Sequence, residues 1–375
     1  MSAAPPPRAG ALAGGTTGRG TFGGAGWLIG VALALVTVAF GLHVASLLSH
    51  RGSRAVGDGR HVESYGFSLA GLDVDRRLLV AGGMPRDGLP ALTDPPVWTT
   101  GQADAATTRE SKFLVPGDRV IGVRIGGQER AYPLRLLVWH EVVNDTLGGI
   151  AVAVTYNPLC DSAVAFRRER AGGTLEFGVS GLLYQSNLVL YDRASPPGRP
   201  SLWSQLLMRA IAGPAAGAAL EPLAISVEPW SAWRRRWPET TVLAPDPRLA
   251  EQYRRDPYAS YFGSDELRFP VAPLPPAEAY PLKTPVVAFG GSGGWTAVPL
   301  PAIAALARAA AAPTGRLREM WPALAYLPEA SAVAVDDRRL PPGVAVAYAS
   351  YFAWFATHRG DTTWVGEPTG DGTAR

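Results

Sequence analysis

Short apolar runs separated by turn residues dominate the chain from Arg119 onward. Within these runs apolar residues alternate with polar ones or follow one another over a few positions, which is typical of β-strands. The clearest runs are V-I-G-V-R-I (120–125), W-H-E-V-V-N (139–144), I-A-V-A-V-T-Y (150–156), S-A-V-A-F-R-R (162–168), L-E-F-G-V-S (175–180) and L-V-L-Y-D-R (188–193). The connections between them contain glycine pairs and are too short for crossover helices. The pattern predicts a mainly β fold, with α+β as the alternative, built as an antiparallel sheet or an open barrel.

Two parts of this pattern recur later in the chain. Residues 120–134 align without gaps to residues 286–300, and residues 231–242 align to residues 352–364 with one inserted residue. Because the two echoes come in the same order, the sequence predicts two related β units. The second unit shows no counterpart of W-H-E-V-V-N-D or of N-P-L-C-D in its sequence, so any chemistry is expected in the first.

The remaining segments are organised around these two units. The alanine-rich stretch from Pro301 to Arg318 predicts a helix. The predicted organisation is a disordered tail (1–25), a transmembrane helix (26–49), a linker and wrapping arm (50–115), the first β unit with the candidate site (116–250), an irregular connection (251–281) and the second, shorter β unit (282–375).

The segment from Gly26 to Ser49 is apolar and carries no formal charge. As a helix it is long enough to cross about 30 Å of hydrocarbon, and Trp27 suits an interfacial anchor. We therefore expect a single-pass signal-anchor, and hence a cell-membrane protein whose direct partner is the membrane. A cleaved signal peptide and a buried core helix are the alternatives.

Composition narrows the function classes. The chain of 375 residues has 43 Gly and 34 Pro, which implies many turns and few long helices. Its formal net charge is only +3, and its basic residues are scattered, so no nucleic-acid partner is expected. The single cysteine excludes an intrachain disulfide. No protein partner can be identified from the sequence.

The segment W-H-E-V-V-N-D (139–145) carries the first candidate residues. On a strand, alternate side chains share a face, so His140 and Asn144 would point one way and Glu141 the other. Histidine is the commonest metal ligand, which makes His140 the first residue to test. The alternative is a histidine hydrogen-bonded within a hairpin, with Asn144 and Asp145 making its turn.

Cys160 lies in T-Y-N-P-L-C-D-S-A (155–163), a segment that predicts a tight turn, called the corner below. Because the predicted hairpin folds the chain back, the strand of His140 is expected to approach this corner. A thiolate, an imidazole and the carboxylate of Asp161 would form a partial site for copper or zinc. The alternative is a buried cysteine that packs as a small hydrophobe.

Further residues of the first unit are candidates for ligand binding. They are Glu141, Asn144, Asn157, Ser180, Trp203 and Gln205. Ser180 lies in F-G-V-S-G-L-L-Y, whose G-x-S-G spacing differs from the G-x-S-x-G turn of many serine hydrolases. Glycines that bend a strand explain this segment better than a nucleophile does. For Trp203 and Gln205, an aromatic core residue and a satisfied amide are equally good interpretations.

Several of these segments, in this order, resemble a known family. They are A-Y-P-L-R-L-L-V-W-H-E-V-V-N-D, V-T-Y-N-P-L-C, F-G-V-S-G-L-L-Y-Q-S-N-L-V-L-Y-D-R, S-L-W-S-Q and W-x-x-W with P-E-T-T-V-L. From about Val80 to Thr363 the chain resembles the prokaryotic family called domain of unknown function 3179. The resemblance implies no substrate or reaction, but it implies an exported or membrane-anchored domain.

The chain departs from the pattern of this family at the corner that holds Cys160. The family pattern is T-Y-C-P-L-C-G, and here Asn157 and Asp161 replace the first cysteine and the glycine. A C-x-x-C pair can bind a metal or cycle through a disulfide, whereas a single cysteine cannot cycle. The resemblance also implies a histidine where this chain has Trp237. Both departures favour a member with altered or lost chemistry.

These observations favour a membrane-anchored, extracytoplasmic domain with a non-catalytic interaction or scaffold role. The first alternative is a metal- or ligand-binding domain that uses His140 and Cys160. The second is a hydrolase that uses Ser180, which is the least supported because the motif spacing is wrong.

Overall fold

The computed structural model describes residues 55–107, 113–193, 199–291 and 293–366. The tail predicted over residues 1–25 and the span predicted over residues 26–49 lie outside these ranges. Within the described ranges, no helix combines the length and the apolar character needed to cross a membrane.

The described residues form more strand than helix, about 35% against 22%. The strands are β1 (Leu79–Ala81), β2 (Leu92–Thr93), β3 (Val97–Thr99), β4 (Arg119–Ile125), β5 (Gln128–Pro133), β6 (Val142–Leu147), β7 (Ile150–Asn157), β8 (Ser162–Arg167), β9 (Glu169–Arg170), β10 (Gly173–Thr174), β11 (Phe177–Tyr184), β12 (Asn187–Asp192), β13 (Leu202–Ser204), β14 (Arg209–Ala212), β15 (Ile225–Pro229), β16 (Thr241–Leu243), β17 (Pro285–Gly291), β18 (Gly294–Pro299), β19 (Leu324–Leu327), β20 (Ala332–Val335), β21 (Ala345–Ser350) and β22 (Thr362–Trp364). The prediction of a mainly β fold is confirmed.

Seven α-helices connect or flank the described strands. They are α1 (Thr100–Ala106), α2 (Leu134–Leu137), α3 (Trp230–Arg236), α4 (Ala259–Phe262), α5 (Leu300–Arg308), α6 (Gly315–Met320) and α7 (Tyr351–Thr357). The helix predicted from Pro301 to Arg318 is therefore two helices. Pro313 lies between them, where the missing N–H and the fixed φ of proline oppose a continuous helix.

The strands form three large sheets and one small hairpin. The orders are β2-β6-β7-β8-β21-β17-β18-β22, β19-β20-β15-β4-β5-β16-β3, β1-β11-β12-β13-β14 and β10-β9. Among the described strands no sheet closes on itself. Most pairings are antiparallel, but β2–β6, β5–β16 and β18–β22 are parallel. Two of the large sheets are therefore mixed, whereas the sequence predicted an antiparallel sheet or an open barrel.

The eight-stranded sheet is the middle layer of the core. On β7, Val152 and Val154 share an apolar cluster with Ile121 of the seven-stranded sheet. Ala153, between them, belongs to a second cluster with Phe177 of the five-stranded sheet. Successive side chains of a strand point to opposite faces, so β7 packs on both sides. This two-sided burial explains why its sequence is a continuous apolar run.

Two groups of four strands share one topology. In the first group the order is β15-β4-β5-β16, and in the second it is β21-β17-β18-β22. The hairpin registers also agree, since Val120 lies opposite Pro133 and Val286 lies opposite Pro299. A helix follows the hairpin in each group, α2 in the first and α5 in the second. Residues 120–134 and 286–300, which align in sequence, thus occupy equivalent places.

The second sequence echo has the same structural correspondence. The indole of Trp233 in α3 donates to Thr240 Oγ1 over 2.9 Å, and that of Trp354 in α7 donates to Thr362 Oγ1 over 3.1 Å. One additional residue separates the second pair, as the alignment requires. An indole N–H that is buried needs an acceptor, and in both groups the same threonine position supplies it.

Each group is also extended by a strand from the chain segment that follows the hairpin of the other group. Strand β8, which follows the first hairpin, pairs with β21 of the second group, and Ala163 lies opposite Tyr348. Strand β20, which follows the second hairpin, pairs with β15 of the first group, and Val333 lies opposite Val227. The two groups therefore exchange strands reciprocally.

This exchange shows a counterpart of N-P-L-C-D that the sequence did not reveal. The β7–β8 turn is closed by the pair Asn157 and Ser162, and the β19–β20 turn by Leu327 and Ala332. The last turn residue is left-handed in both, with φ 43° at Asp161 and φ 46° in L-P-E-A-S (327–331). The sequence of the second unit shows no such segment because the two turns share only a proline and the preceding tyrosine, whereas the strand pairing makes the turns equivalent in the structure.

Candidate functional site

The turn that carries Cys160 is held by its own side chains and by the second group. Asn157 Oδ1 accepts from the backbone N–H of Cys160 over 3.2 Å, which is a common way for asparagine to stabilise a turn. The backbone oxygen of Cys160 accepts from the N–H of Ser350 over 2.7 Å, at the junction of β21 and α7. The turn is therefore fixed where the two groups meet.

The thiol of Cys160 is buried in the protein interior. Its side chain is fully buried, and Sγ donates to the backbone oxygen of Ser186 over 3.3 Å. Burial raises the pKa of the Cys160 thiol well above its usual range, because a thiolate is poorly solvated there. The neutral thiol packs as a small hydrophobe within the apolar cluster.

His140 does not lie on a strand. The sequence predicted a strand from Trp139 to Asn144, but β6 begins at Val142 and His140 lies in the turn that follows α2. Its Nδ1 is 2.7 Å from the backbone oxygen of Pro90, and its Nε2 is 2.7 Å from the hydroxyl of Tyr253. Burial lowers the pKa of His140, so the neutral ring donates through Nδ1 and accepts at Nε2. Both ring nitrogens are occupied.

Glu141 adopts a left-handed backbone conformation, with φ 56°. This conformation turns the chain from α2 into β6 and separates Glu141 from the strand alternation that the sequence predicted. The side chain is 6% exposed, and Oε1 accepts from Asn157 Nδ2 over 3.1 Å. Burial raises the pKa of Glu141 to about 7, against the lowering effect of that hydrogen bond. Glu141 thus joins the two predicted motif segments through a carboxyl that titrates near neutrality.

Asp161 has partners of a different kind. Its two carboxylate oxygens each lie 3.0 Å from Nη1 of Arg119, and Oδ1 also accepts from the hydroxyl of Tyr156 over 2.9 Å. His140, Cys160 and Asp161 are therefore each engaged separately. Within the described part of the chain, no group of three His, Cys, Asp or Glu side chains could hold a metal ion. This geometry gives no support to a copper or zinc site.

Gln205 and its neighbours form a buried polar network. Gln205 Nε2 donates to Thr155 Oγ1 over 2.9 Å, and Gln205 Oε1 accepts from Ser162 Oγ over 2.6 Å and from Asn187 Nδ2 over 2.8 Å. These residues come from β7, β8 and β12 and from the residue after β13. A satisfied buried network of this kind fixes the relative position of the strands.

The other candidate ligand residues are also engaged within the protein. Asn144 lies in β6 and exchanges two hydrogen bonds of 2.8 Å with the backbone of Phe177. Trp203 Nε1 donates to Asp192 Oδ2 over 2.9 Å. Ser180 Oγ donates to the backbone oxygen of Val189 and accepts from the N–H of Leu182 over 3.0 Å. Asn144, Ser180 and Trp203 are fully buried.

Beside these buried motif segments lies an open cleft of about 360 Å³. Residues near the start of β4, α2 and the end of β7 form one wall, and residues 253–262 form the other. The lining side chains that are basic or phenolic are Arg119, Arg135, Arg254, Arg255, Tyr156, Tyr253 and Tyr258. Acidic side chains are fewer, since only Asp118 and Asp256 line the cleft. The side chains that line the cleft therefore present more cationic than anionic groups to its interior.

Most arginines of the cleft are oriented by ion pairs. Arg119 pairs with Asp161, Arg135 with Asp118 over 3.2 Å, and Arg254 with Glu251 over 3.2 Å. Arg255 is exposed and has no ion-pair partner among the described residues. Fixed guanidinium groups are suited to carboxylate recognition because their planar donors match its two oxygens.

The tyrosines of the cleft are protonated at neutral pH. Burial raises the pKa of Tyr253 to about 12 and that of Tyr258 to about 12. Tyr253 connects the cleft to the interior, because its hydroxyl contacts His140. His140 therefore positions Tyr253 in the cleft wall. Its own ring nitrogens are engaged by hydrogen bonds and do not face the cleft.

Comparison with known proteins places this arrangement in a family. A family model described as a protein of unknown function, DUF3179, matches residues 86–372. The chain belongs to the DUF3179 family. The suspected family is thereby confirmed, and its description names no activity. No curated protein and no solved structure matches the chain.

None of the residues that line the cleft of this DUF3179 protein was among the candidates from the sequence. Those candidates include contacts of Arg119, Tyr156 and Tyr253, but not these residues themselves. The signal was weak, because arginines and tyrosines are common at surfaces. The segment Y-R-R-D-P-Y (253–258) supplies five lining residues, although its sequence reads only as an irregular connection.

Proposed function

We propose that this DUF3179 protein is a non-catalytic binding domain that recognises a small acidic ligand in the cleft beside Arg119 and Tyr258. We also propose that residues 26–49 hold it at the cell membrane, with the described domain on the extracytoplasmic side. The proposal combines the interaction role and the ligand-binding role that the sequence suggested. The cleft replaces His140 and Cys160 as the binding site.

The single observation that carries the proposal is the set of arginines that line the cleft. Four arginines and two aspartates line one open cavity, and three of the arginines are held by ion pairs. A cavity of a few hundred Å³ with a few convergent polar groups is the usual form of a small-molecule site. Tyrosine faces in the same cleft can pack against the apolar part of a ligand.

The side chains that could have acted as catalytic groups are buried or engaged, and this supports a non-catalytic role. Cys160 and Ser180 are fully buried, and their side-chain donors are used by backbone oxygens. His140 has both ring nitrogens occupied. A nucleophile needs an exposed side chain beside a free base, and these three residues do not provide that combination.

Binding of simple acids tests the proposed cleft. The full-length protein in detergent is titrated with acetate and glucuronate, and with glucose as the neutral comparison, by calorimetry. We expect the acids to bind and glucose not to bind. Arg119→Gln and Arg255→Gln should each weaken acid binding by about tenfold, because a hydrogen bond to a charged group contributes about 1.5 kcal/mol or more.

The control variant is Arg77→Gln, whose side chain is 88% exposed and does not line the cleft. It should bind acids as the wild type does. Equal binding of glucose and glucuronate, or acid binding that survives both cleft substitutions, would contradict the proposed function.

Fractionation of cells tests the proposed location. The full chain should remain with membranes after carbonate extraction, because residues 26–49 are apolar and uncharged. Protease added outside intact spheroplasts should degrade the described domain. Recovery of the full chain in the soluble fraction, or complete protection from external protease, would rule out this part of the proposal.

A further inference from the structure

A second, smaller cavity shares a wall with the cleft. Its volume is about 150 Å³, and Arg119 and Asp161 line it. Arg119 also lines the cleft, so its ion pair with Asp161 lies at the boundary of the two spaces. The rest of the small cavity is mainly aliphatic, with Val227, Val287 and Leu300 among its lining residues. A charged boundary thus leads into an apolar pocket.

This cavity lies where equivalent positions of the two strand groups meet. Val227 of β15 and Tyr348 of β21 both line it, and these two residues hold the same place in the duplicated topology. Asp161 and Ser331, the left-handed residues of the two equivalent turns, also both line it. The turn that follows the first hairpin contributes the charged Asp161, and the turn that follows the second hairpin contributes the small neutral Ser331. The cavity is therefore polar on one side only.

Two nitrogens of the Arg119 guanidinium remain available as hydrogen-bond donors. Both hydrogen bonds to Asp161 come from Nη1, and neither Nε nor Nη2 has a hydrogen-bond partner among the described residues. The Arg119 side chain is 43% exposed. Tyr156 holds Asp161 from the other side, which fixes the guanidinium indirectly. The free edge of a guanidinium can bind both oxygens of a second carboxylate.

We propose that the ligand of this protein is a short-chain aliphatic carboxylate. Its carboxylate binds Arg119 at the boundary, and its hydrocarbon chain occupies the small cavity. A water molecule occupies roughly 30 Å³ of liquid volume, and a methylene group is of similar size, so a space of about 150 Å³ holds about five methylene groups. A carboxylate of about six carbons therefore fits best. This inference rests on the proposed function and names the class of acid.

A chain-length series tests the inference. The full-length protein in detergent is titrated with acetate, butyrate, hexanoate and octanoate, with detergent alone as the blank and hexanol as the uncharged comparison. Each buried methylene should strengthen binding by about fourfold. We expect the gain to continue to hexanoate and to stop at octanoate. Hexanol should bind far more weakly, because it lacks the charge that Arg119 recognises.

Two variants locate the chain in the cavity. Ala332 lines the cavity on β20, and Ala332→Leu should reduce the gain from acetate to hexanoate to less than fourfold. The matched control is Ala325→Leu, on the exposed side of the neighbouring strand β19, which should keep the wild-type series. Leu300→Ala enlarges the same cavity and should move the optimum to octanoate. This second variant keeps the test decisive if the first does not fold.

The outcomes separate the two proposals. If acids bind in an Arg119-dependent way, but without any dependence on chain length, the aliphatic ligand is wrong and the acidic-ligand function stands. If no acid binds, both proposals fail. A chain-length series that Ala332→Leu and Leu300→Ala leave unchanged would place the hydrocarbon chain elsewhere and overturn the inference.

Discussion

Ionisation of the buried Glu141 carboxyl lowers the stability of the folded protein. The carboxyl is buried, it accepts a hydrogen bond from the uncharged amide of Asn157, and its pKa is raised to about 7. A carboxyl whose folded pKa exceeds its unfolded value binds more protons in the folded state between those two values. Stability is therefore lost as pH rises from about 4.5 to about 7, and the loss persists above pH 7.

Glu141→Gln should remove this dependence. Glutamine keeps the shape and an oxygen that accepts from Asn157, but it cannot ionise. We expect the variant to match the wild type near pH 5 and to be more stable at pH 8, by up to about 3 kcal/mol, because folding raises the pKa of Glu141 from 4.5 to about 7. Thermal unfolding of both proteins at the two pH values measures this. A variant that is destabilised equally at both values would show that Glu141 is held ionised.

At the scale of single elements, Gly122 in β4 makes room for a packed helix. A Cβ placed on Gly122 would lie 2.2 Å from the ring of Trp233 in α3, far inside van der Waals contact. The helix that follows β15 therefore packs directly on the backbone of β4. Trp233 is held in place by its hydrogen bond to Thr240, so the ring cannot simply move away.

Gly122→Ala should destabilise the protein by about 1–3 kcal/mol, the usual cost of overpacking a core. The matched control is Gly360→Ala, because a Cβ at Gly360 meets no atom within 4 Å. Denaturant unfolding of both variants gives the two free energies. If the two substitutions have equal effects, the close approach of Trp233 to β4 does not constrain the fold.

Elements that depend only on residues close together in the sequence could be predicted from it. The hairpins of residues 120–134 and 286–300 follow from apolar alternation around glycine turns, and their registers agree. The strand predicted at His140 was wrong because α2 and the left-handed Glu141 delay β6 until Val142. Apolar residues there suit a short helix and a turn as well as a strand. The positions of Arg119 and Tyr258 in one cleft depend on tertiary contacts, which no local pattern encodes.

At the scale of the whole described domain, the reciprocal exchange of strands makes each group depend on the other. The pairings β8–β21 and β15–β20 join residues that are far apart in sequence, which is why the sequence did not predict them. One apolar cluster includes β4, β7 and β17, so both groups contribute to a common core. Neither group alone has its sheet complete or its apolar face covered.

Cutting the chain in the connection between the groups should show this dependence. Leu274 is 47% exposed in that connection, so residues 1–274 and 275–375 can be produced as separate chains. We expect each chain to be degraded or insoluble alone, and the two to form a folded complex when expressed together. Circular dichroism and limited proteolysis measure the outcome. A stable, protease-resistant half on its own would contradict a shared core.

The equivalence of the two turns has a consequence for ancestry. If one ancestral gene encoded a single β unit, two identical molecules could have exchanged the strands that β8 and β20 now represent, as a symmetric homodimer does. Fusion of two gene copies would then free each turn to change on its own. In this protein one descendant turn carries Cys160 and Asp161, while the other carries Ala330 and Ser331. Such a divergence of the two turns would explain why the small cavity is polar on one side only.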